Sequence, residues 1–117
     1  MKSLLFIYKK SPYTESRFDT FCNLAVSALQ KGLDVNIFFD FDGVLNTIAE
    51  QQSYESLLLP KDKISDLIDS GARVYLCGVC AAMRGLKSSE SHIENVKFVS
   101  MEKLAGLIGK ADRIIAF

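Results

Sequence analysis

The sequence predicts an open α/β sheet of five parallel strands with helices on both faces, three layers in all. Three observations carry this expectation. Short β-rich apolar runs alternate along the whole chain with stretches whose apolar residues recur at helical spacing. The first stretch between runs is long enough for the crossover that a parallel pair requires. The first run, Leu4 to Tyr8, is continuously apolar, as in a central strand covered on both faces. Five such strands most often wind in the order 2-1-3-4-5, and that order is expected here. The 117 residues leave room for one core, so positions 1–117 are read as a single domain.

The elements follow in order. Lys9, Lys10, Ser11 and Pro12 end the first strand, and Thr14 or Ser16 is placed to cap the next helix. Phe18, Phe21, Cys22, Ala25 and Leu29 share one face of that helix, which Gly32 closes. Asp34 to Phe39 is the second strand. Asp40-Phe-Asp42-Gly43 then reads as a turn, with Asp42-Gly43 supplying special backbone angles. Val44, Leu45 and Ile48 suggest a short amphipathic helix, and Leu57 to Leu59 form an apolar cluster before Pro60. A connector this long inside a compact domain is usually functional or an interface. Its apolar residues, with Tyr54, exceed what a core of this size covers, which predicts self-association.

Pro60 suits a helix start, and Ile64, Leu67 and Ile68 give that helix its buried stripe. Val74 to Leu76 is the third strand, followed by a helix reaching about Leu86. Lys87 to Glu94 is polar and loop-like. Val96 to Val99 is the fourth strand. Ser100 can cap a helix burying Leu104, Leu107 and Ile108, and Arg113 to Phe117 is the fifth strand.

Composition narrows the function classes. The hydrophobic fraction of 49% and charged fraction of 24% are those of a soluble globular protein. Fourteen basic residues balance fourteen acidic ones, so nothing favours nucleic acid or an anionic membrane. No apolar run approaches the ~18 residues of a membrane span. The basic-then-apolar beginning is too short for a signal peptide and runs into Lys9-Lys10, so it is read as a strand. Three cysteines make no disulfide framework and point to a reducing, cytoplasmic setting. A Gly-rich phosphate loop is absent, and no cofactor is expected.

The chemistry is expected at Cys77-Gly-Val-Cys80, where the third strand gives way to a helix. Unpaired backbone N–H groups at such a turn favour a thiolate over a thiol. In the order 2-1-3-4-5 the ends of strands one and three flank the switch point, which would bring Lys9 and Lys10 near Cys77. Arg84, one turn beyond Cys80, is placed either to hold an anion or to form a surface salt bridge. Cys22 lies on an apolar stripe and is read as core.

Competing motifs are weaker. Asp40-Phe-Asp42-Gly43-Val matches the nucleophile motif of haloacid-dehalogenase-like phosphatases, which would use magnesium. That motif follows the first strand in those enzymes and the second here, and the later acidic pair is missing at Val99-Ser100-Met101-Glu102. A thioredoxin reading of Cys77 and Cys80 needs a later proline, whereas Pro12 and Pro60 both precede them. Zinc on Cys77, Cys80 and His92 lacks a fourth ligand, so no metal is expected, and His92 is read as exposed.

The order of elements, the Phe38-Phe39-Asp40-Phe41-Asp42-Gly43-Val44 segment, the cysteine turn leading to Arg84-Gly85 and the closing Ala111-Asp112-Arg113 run together resemble the DsrE/DsrF/TusD-like family of small sulfur-transfer proteins. The resemblance covers nearly the whole chain. It implies a flavodoxin-like domain that assembles as a trimer or hexamer, and a cysteine at this turn that carries a persulfide from a donor protein to an acceptor protein. Counting back from Arg84-Gly85, Cys77 stands at the carrier's position. Cys80 is an additional thiol that resolves a persulfide, forms a transient disulfide with Cys77, or packs. The resemblance leaves a second class open, a noncatalytic oligomeric protein that binds partners on the same fold.

Overall fold

The computed structural model describes residues 2–12, 17–51 and 59–117. The caps expected at Thr14 or Ser16, and the apolar Tyr54, Leu57 and Leu58, lie outside them. The element order is β1 (Ser3–Tyr8), α1 (Arg17–Gln30), β2 (Asp34–Phe39), a 3₁₀ helix (Phe41–Thr47), α2 (Pro60–Asp69), β3 (Arg73–Cys77), α3 (Gly78–Met83), β4 (Val96–Val99), α4 (Met101–Lys110) and β5 (Arg113–Ala116). The α/β class, the five strands and their parallel pairing match the sequence-based expectation. The short amphipathic helix expected after Gly43 is the 3₁₀ helix, and α3 stops at Met83 rather than Leu86.

The neighbour order is β4-β3-β2-β1-β5, not 2-1-3-4-5. Strand β2 pairs with β1 from Ser3 opposite Asp34 to Tyr8 opposite Phe39, and with β3 from Asn36 opposite Arg73 to Phe39 opposite Leu76. Val35, Ile37, Phe38 and Phe39 are all buried, so β2 is satisfied only with a strand on each side and a covered face above and below. The half-exposed β4 and β5 take the edges. The chain therefore steps from neighbour to neighbour through β4, then crosses back to the free edge of β1.

Right-handed crossovers running in one direction place their helices on one face, and the reversed step places its helix on the other. Accordingly α1 and α2 cover Phe6, Tyr8, Val35, Ile37, Phe39, Val74 and Leu76. Helix α4 covers Leu5, Phe38, Tyr75 and Cys77 through Leu107. Cys22 packs in the first of these cores, as expected, and burial pushes its thiol up to about 12. Val44 is also buried there, and Leu45 and Ile48 pack against the same core, so these three connector residues are covered by the domain itself.

Candidate functional site

Strand β3 ends on Cys77, which is also the N-cap of α3. Its Sγ accepts the backbone N–H of Cys80 at 3.4 Å, the place a serine or aspartate oxygen takes in an ordinary cap. Cys77 is buried and Cys80 is half-buried. The first turn of α3 therefore brings both sulfurs to the carboxyl end of the sheet.

The strand order decides what lies beside them. One of the two neighbours of β3 is β2, and the residue just past β2 is Asp40. Asp40 Oδ1 accepts the N–H of Phe41 at 3.0 Å and lies 3.4 Å from Cys80 Sγ. The Phe41 N–H also points at Cys80 Sγ, at 3.3 Å. Lys9 and Lys10 follow β1, two strands from β3, which is about 10 Å of sheet. Both are exposed, and the Lys10 carbonyl is engaged by Asn46. The pairing of lysines with thiols expected from the order 2-1-3-4-5 is replaced by a carboxylate.

The 3₁₀ helix is locked onto the end of β1. A Cβ on Gly43 would stand 2.1 Å from the Tyr8 carbonyl oxygen, so no residue but glycine fits that approach. Asp40 N donates to the same carbonyl at 3.1 Å. The buried Asn46 donates from Nδ2 to the carbonyls of Lys10 and Gly43 at 3.0 and 2.9 Å. The turn expected from Asp42-Gly43 thus works differently. The left-handed residue is Phe41, at φ 48°, and Gly43 serves close packing. A non-glycine residue in that region costs about 1–3 kcal/mol and is held by its surroundings.

Arg84 joins the two halves of the site. Its Nε pairs with Asp42 Oδ1 at 2.8 Å and its Nη1 donates to the Cys80 carbonyl at 3.2 Å. Of the two roles expected for Arg84, the structure displays the salt bridge. Both carboxylates of the phosphatase-like motif are thereby turned toward α3, Asp40 to Cys80 and Asp42 to Arg84.

Sequence reasoning missed two neighbours. Asp40 reads in the sequence as part of a turn or of the phosphatase-like motif, because its approach to Cys80 depends on strand pairing. Lys87 was read as part of a polar loop. Its Nζ lies 3.8 Å from where a Cβ on Gly78 would be, and it sits over the Phe98 ring at 5.1 Å. His92 is apart from the sulfurs. It is half-buried, with Nδ1 on the Ile93 carbonyl at 2.8 Å and its ring edge-on to Phe98 at 4.8 Å.

The environment treats Cys80 as a thiol. Burial, then the contact with Cys77, pushes it up to about 11, the Asp40 carboxylate adds to the rise, and the Phe41 N–H opposes it. Three large apolar side chains near the sulfurs are also exposed. Val79 and Met83, four residues apart on α3, are 69% and 79% exposed, and Phe41 is 56% exposed.

The fold is a parallel α/β domain whose inner strand β3 ends on a buried cysteine, with a second cysteine in the first turn of α3. This chain belongs to the DsrE/DsrF-like family, whose model matches residues 2–117. It is 33% identical to an uncharacterized protein of Methanocaldococcus jannaschii over 113 residues, 95% of this chain and 96% of that one. It is 30% identical to a TusC homolog of Vibrio vulnificus, with both chains covered completely. Among solved structures, the ychN protein of E. coli superposes with a TM-score of 0.90 at 23% identity, again over both chains in full. A protein of unknown function from Methanobacterium thermoautotrophicum superposes with a TM-score of 0.78 at 15% identity. These two likenesses establish the shared fold. No described helix is long and apolar enough to cross a membrane.

Proposed function

We propose that this protein is a sulfur-relay carrier in which Cys77 receives sulfane sulfur from a donor protein and hands it to a cysteine of an acceptor protein. The observation that carries the reading is the pair of sulfurs at the end of β3, set in a family to which a TusC homolog also belongs. In the first step the Cys77 thiolate attacks the outer sulfur of the donor's persulfide. An S–S bond forms on Cys77, the donor's S–S bond breaks, and the donor leaves as a thiolate. In the second step an acceptor thiolate attacks the outer sulfur now on Cys77, which departs as a thiolate again. No net oxidation occurs in either step.

Surrounding groups have roles in this reading. The Cys80 N–H donates to the Cys77 sulfur, and Lys87 supplies a positive charge beside the turn. Cys80, held as a thiol, stands beside Cys77 as the second sulfur of the site. The exposed Val79, Met83 and Phe41 form an apolar rim on which a donor or acceptor protein can seat. Lys9 and Lys10 stand too far along the sheet for direct contact with Cys77 and are assigned to steering an acidic partner. A homo-oligomer, trimer or hexamer, in a cytoplasmic setting completes the reading, supported by three free cysteines and by apolar side chains exposed on α4 and β5.

The burial of Cys77 favours a second reading, in which the fold binds partners without chemistry. Intact-mass measurement separates the two. Folded protein incubated with a cysteine desulfurase and cysteine is expected to gain one sulfur, and Cys77→Ser is expected to abolish the gain. Loss with Cys80→Ser alone transfers the carrier role to Cys80. A wild-type protein that never gains sulfur from any competent donor leaves the noncatalytic reading.

A further inference from the structure

Asp40, Cys77 and Cys80 present one carboxylate oxygen and two sulfurs that all lie within 4.8 Å of one another. We propose that these three side chains form a binding site for a thiophilic divalent cation, zinc above all, with the fourth coordination position open. The inference concerns binding alone and stands whether or not the chain relays sulfur.

The distances fit. Zinc takes sulfur at ~2.3 Å and carboxylate oxygen at ~2.0–2.2 Å in tetrahedral geometry, which separates two sulfurs by about 3.8 Å and a sulfur from an oxygen by about 3.6 Å. Cys80 Sγ and Asp40 Oδ1 already stand 3.4 Å apart. The spacing of two residues between the cysteines is that of an ordinary zinc chelate. Two thiolates with one carboxylate form a donor set that suits zinc and discriminates against magnesium and calcium.

Two backbone N–H groups of the helix caps are already turned toward the sulfurs. One N–H, that of Phe41, is aimed at Cys80 Sγ, and another, that of Cys80, at Cys77 Sγ. Such donors orient coordinated thiolates and temper their charge. The Phe41 donor is held by a residue in the left-handed region. Asp40, which the sequence assigned to a turn, is fixed by its own N–H on the Tyr8 carbonyl at 3.1 Å. The ligands thus come from the ends of two adjacent strands and need only side-chain adjustment to close on an ion.

No fourth Cys, His, Asp or Glu joins the cluster among the described residues. A site of three protein ligands is open rather than structural, so water or an external donor fills the last position. On binding, the two thiols lose their protons to solvent. The ion would occupy the sulfurs that the relay reading uses, so metal and sulfane sulfur exclude each other.

The test is titration of the reduced, full-length protein with Co²⁺ and Zn²⁺. We expect one equivalent of Co²⁺ to give the sulfur-to-metal charge-transfer absorption and the intense visible bands of a tetrahedral site, displaced by Zn²⁺ and untouched by excess Mg²⁺. Cys77→Ser and Cys80→Ser remove the charge-transfer band in proportion to the sulfurs lost. Asp40→Asn weakens Zn²⁺ binding about tenfold or more, with circular dichroism reporting that the fold is kept. Should a variant fail to fold, alkylation of the wild type decides: Zn²⁺ is expected to protect Cys77 and Cys80 from iodoacetamide, with the buried Cys22 as internal reference. A weak octahedral Co²⁺ spectrum, or alkylation unchanged by Zn²⁺, overturns the proposal. A protein that binds Zn²⁺ yet never gains sulfur supports the site and removes the relay. One that gains sulfur without binding metal does the reverse.

Discussion

The two faces of the sheet are packed to different depths. Under α1 and α2 lies an aromatic cluster in which Tyr8 contacts Phe18, Phe21, Phe39 and Phe117 at ring-centroid distances of 5.7, 5.1, 6.2 and 5.7 Å. On the other face, among the described residues, α4 covers Leu5, Phe38, Tyr75 and Cys77 with Leu107 as its buried anchor. Met101 and Ile108 of α4 and Ile114 of β5 remain exposed. The winding explains the asymmetry, because successive crossovers stack their helices on one side and the single return to β1 puts α4 on the other. Stability is therefore expected to be concentrated on the deep face. The sulfur assigned to chemistry, Cys77, projects from the shallow one.

Substitutions on the two faces sharpen this contrast. Phe21→Ala, in the deep face, is expected to cost about 3–5 kcal/mol by urea denaturation. Gly43→Ala forces a Cβ against the Tyr8 carbonyl and is expected to cost about 3 kcal/mol, with the 3₁₀ helix lifting from β1. Leu107→Ala, on the shallow face, is expected to cost about 2 kcal/mol, the low end for a leucine, because its side chain lies at the margin of burial, 9% exposed. Equal losses for Phe21→Ala and Leu107→Ala would show that both faces carry the fold alike.

Smaller effects fall on the site. The raised Cys80 thiol predicts a pH dependence whose sign follows from linkage. The unfolded chain loses this proton near 9.0, while the folded chain keeps it to about 11. The contribution is complete below the lower value and is lost as pH rises through the interval, on the order of 1 kcal/mol. Denaturation midpoints measured from pH 8 to 11 are expected to fall, and Cys80→Ser is expected to flatten part of that fall. Cys22, higher still, accounts for more of it. Arg84→Ala, which removes a partly exposed ion pair, is expected to change stability by less than about 1 kcal/mol. A loss several times larger would make Arg84 the tie that holds the 3₁₀ helix over α3.

What the sequence determined by itself was local. Helical spacing at Phe18, Phe21, Cys22 and Ala25, the β-rich runs, the punctuation at Gly32 and Pro60, and the place of Cys77 at a strand-to-helix turn were all legible, because each depends on neighbours within a turn or two of chain. The tertiary structure decided which strands are neighbours. An alternating apolar pattern looks the same whichever strand lies alongside, and pairing energy comes from residues distant in sequence. That one decision moved β2 between β1 and β3. It brought Asp40 to Cys80, left Lys9 and Lys10 two strands away, and turned Gly43 from a flexible turn residue into the one residue small enough to pass the Tyr8 carbonyl.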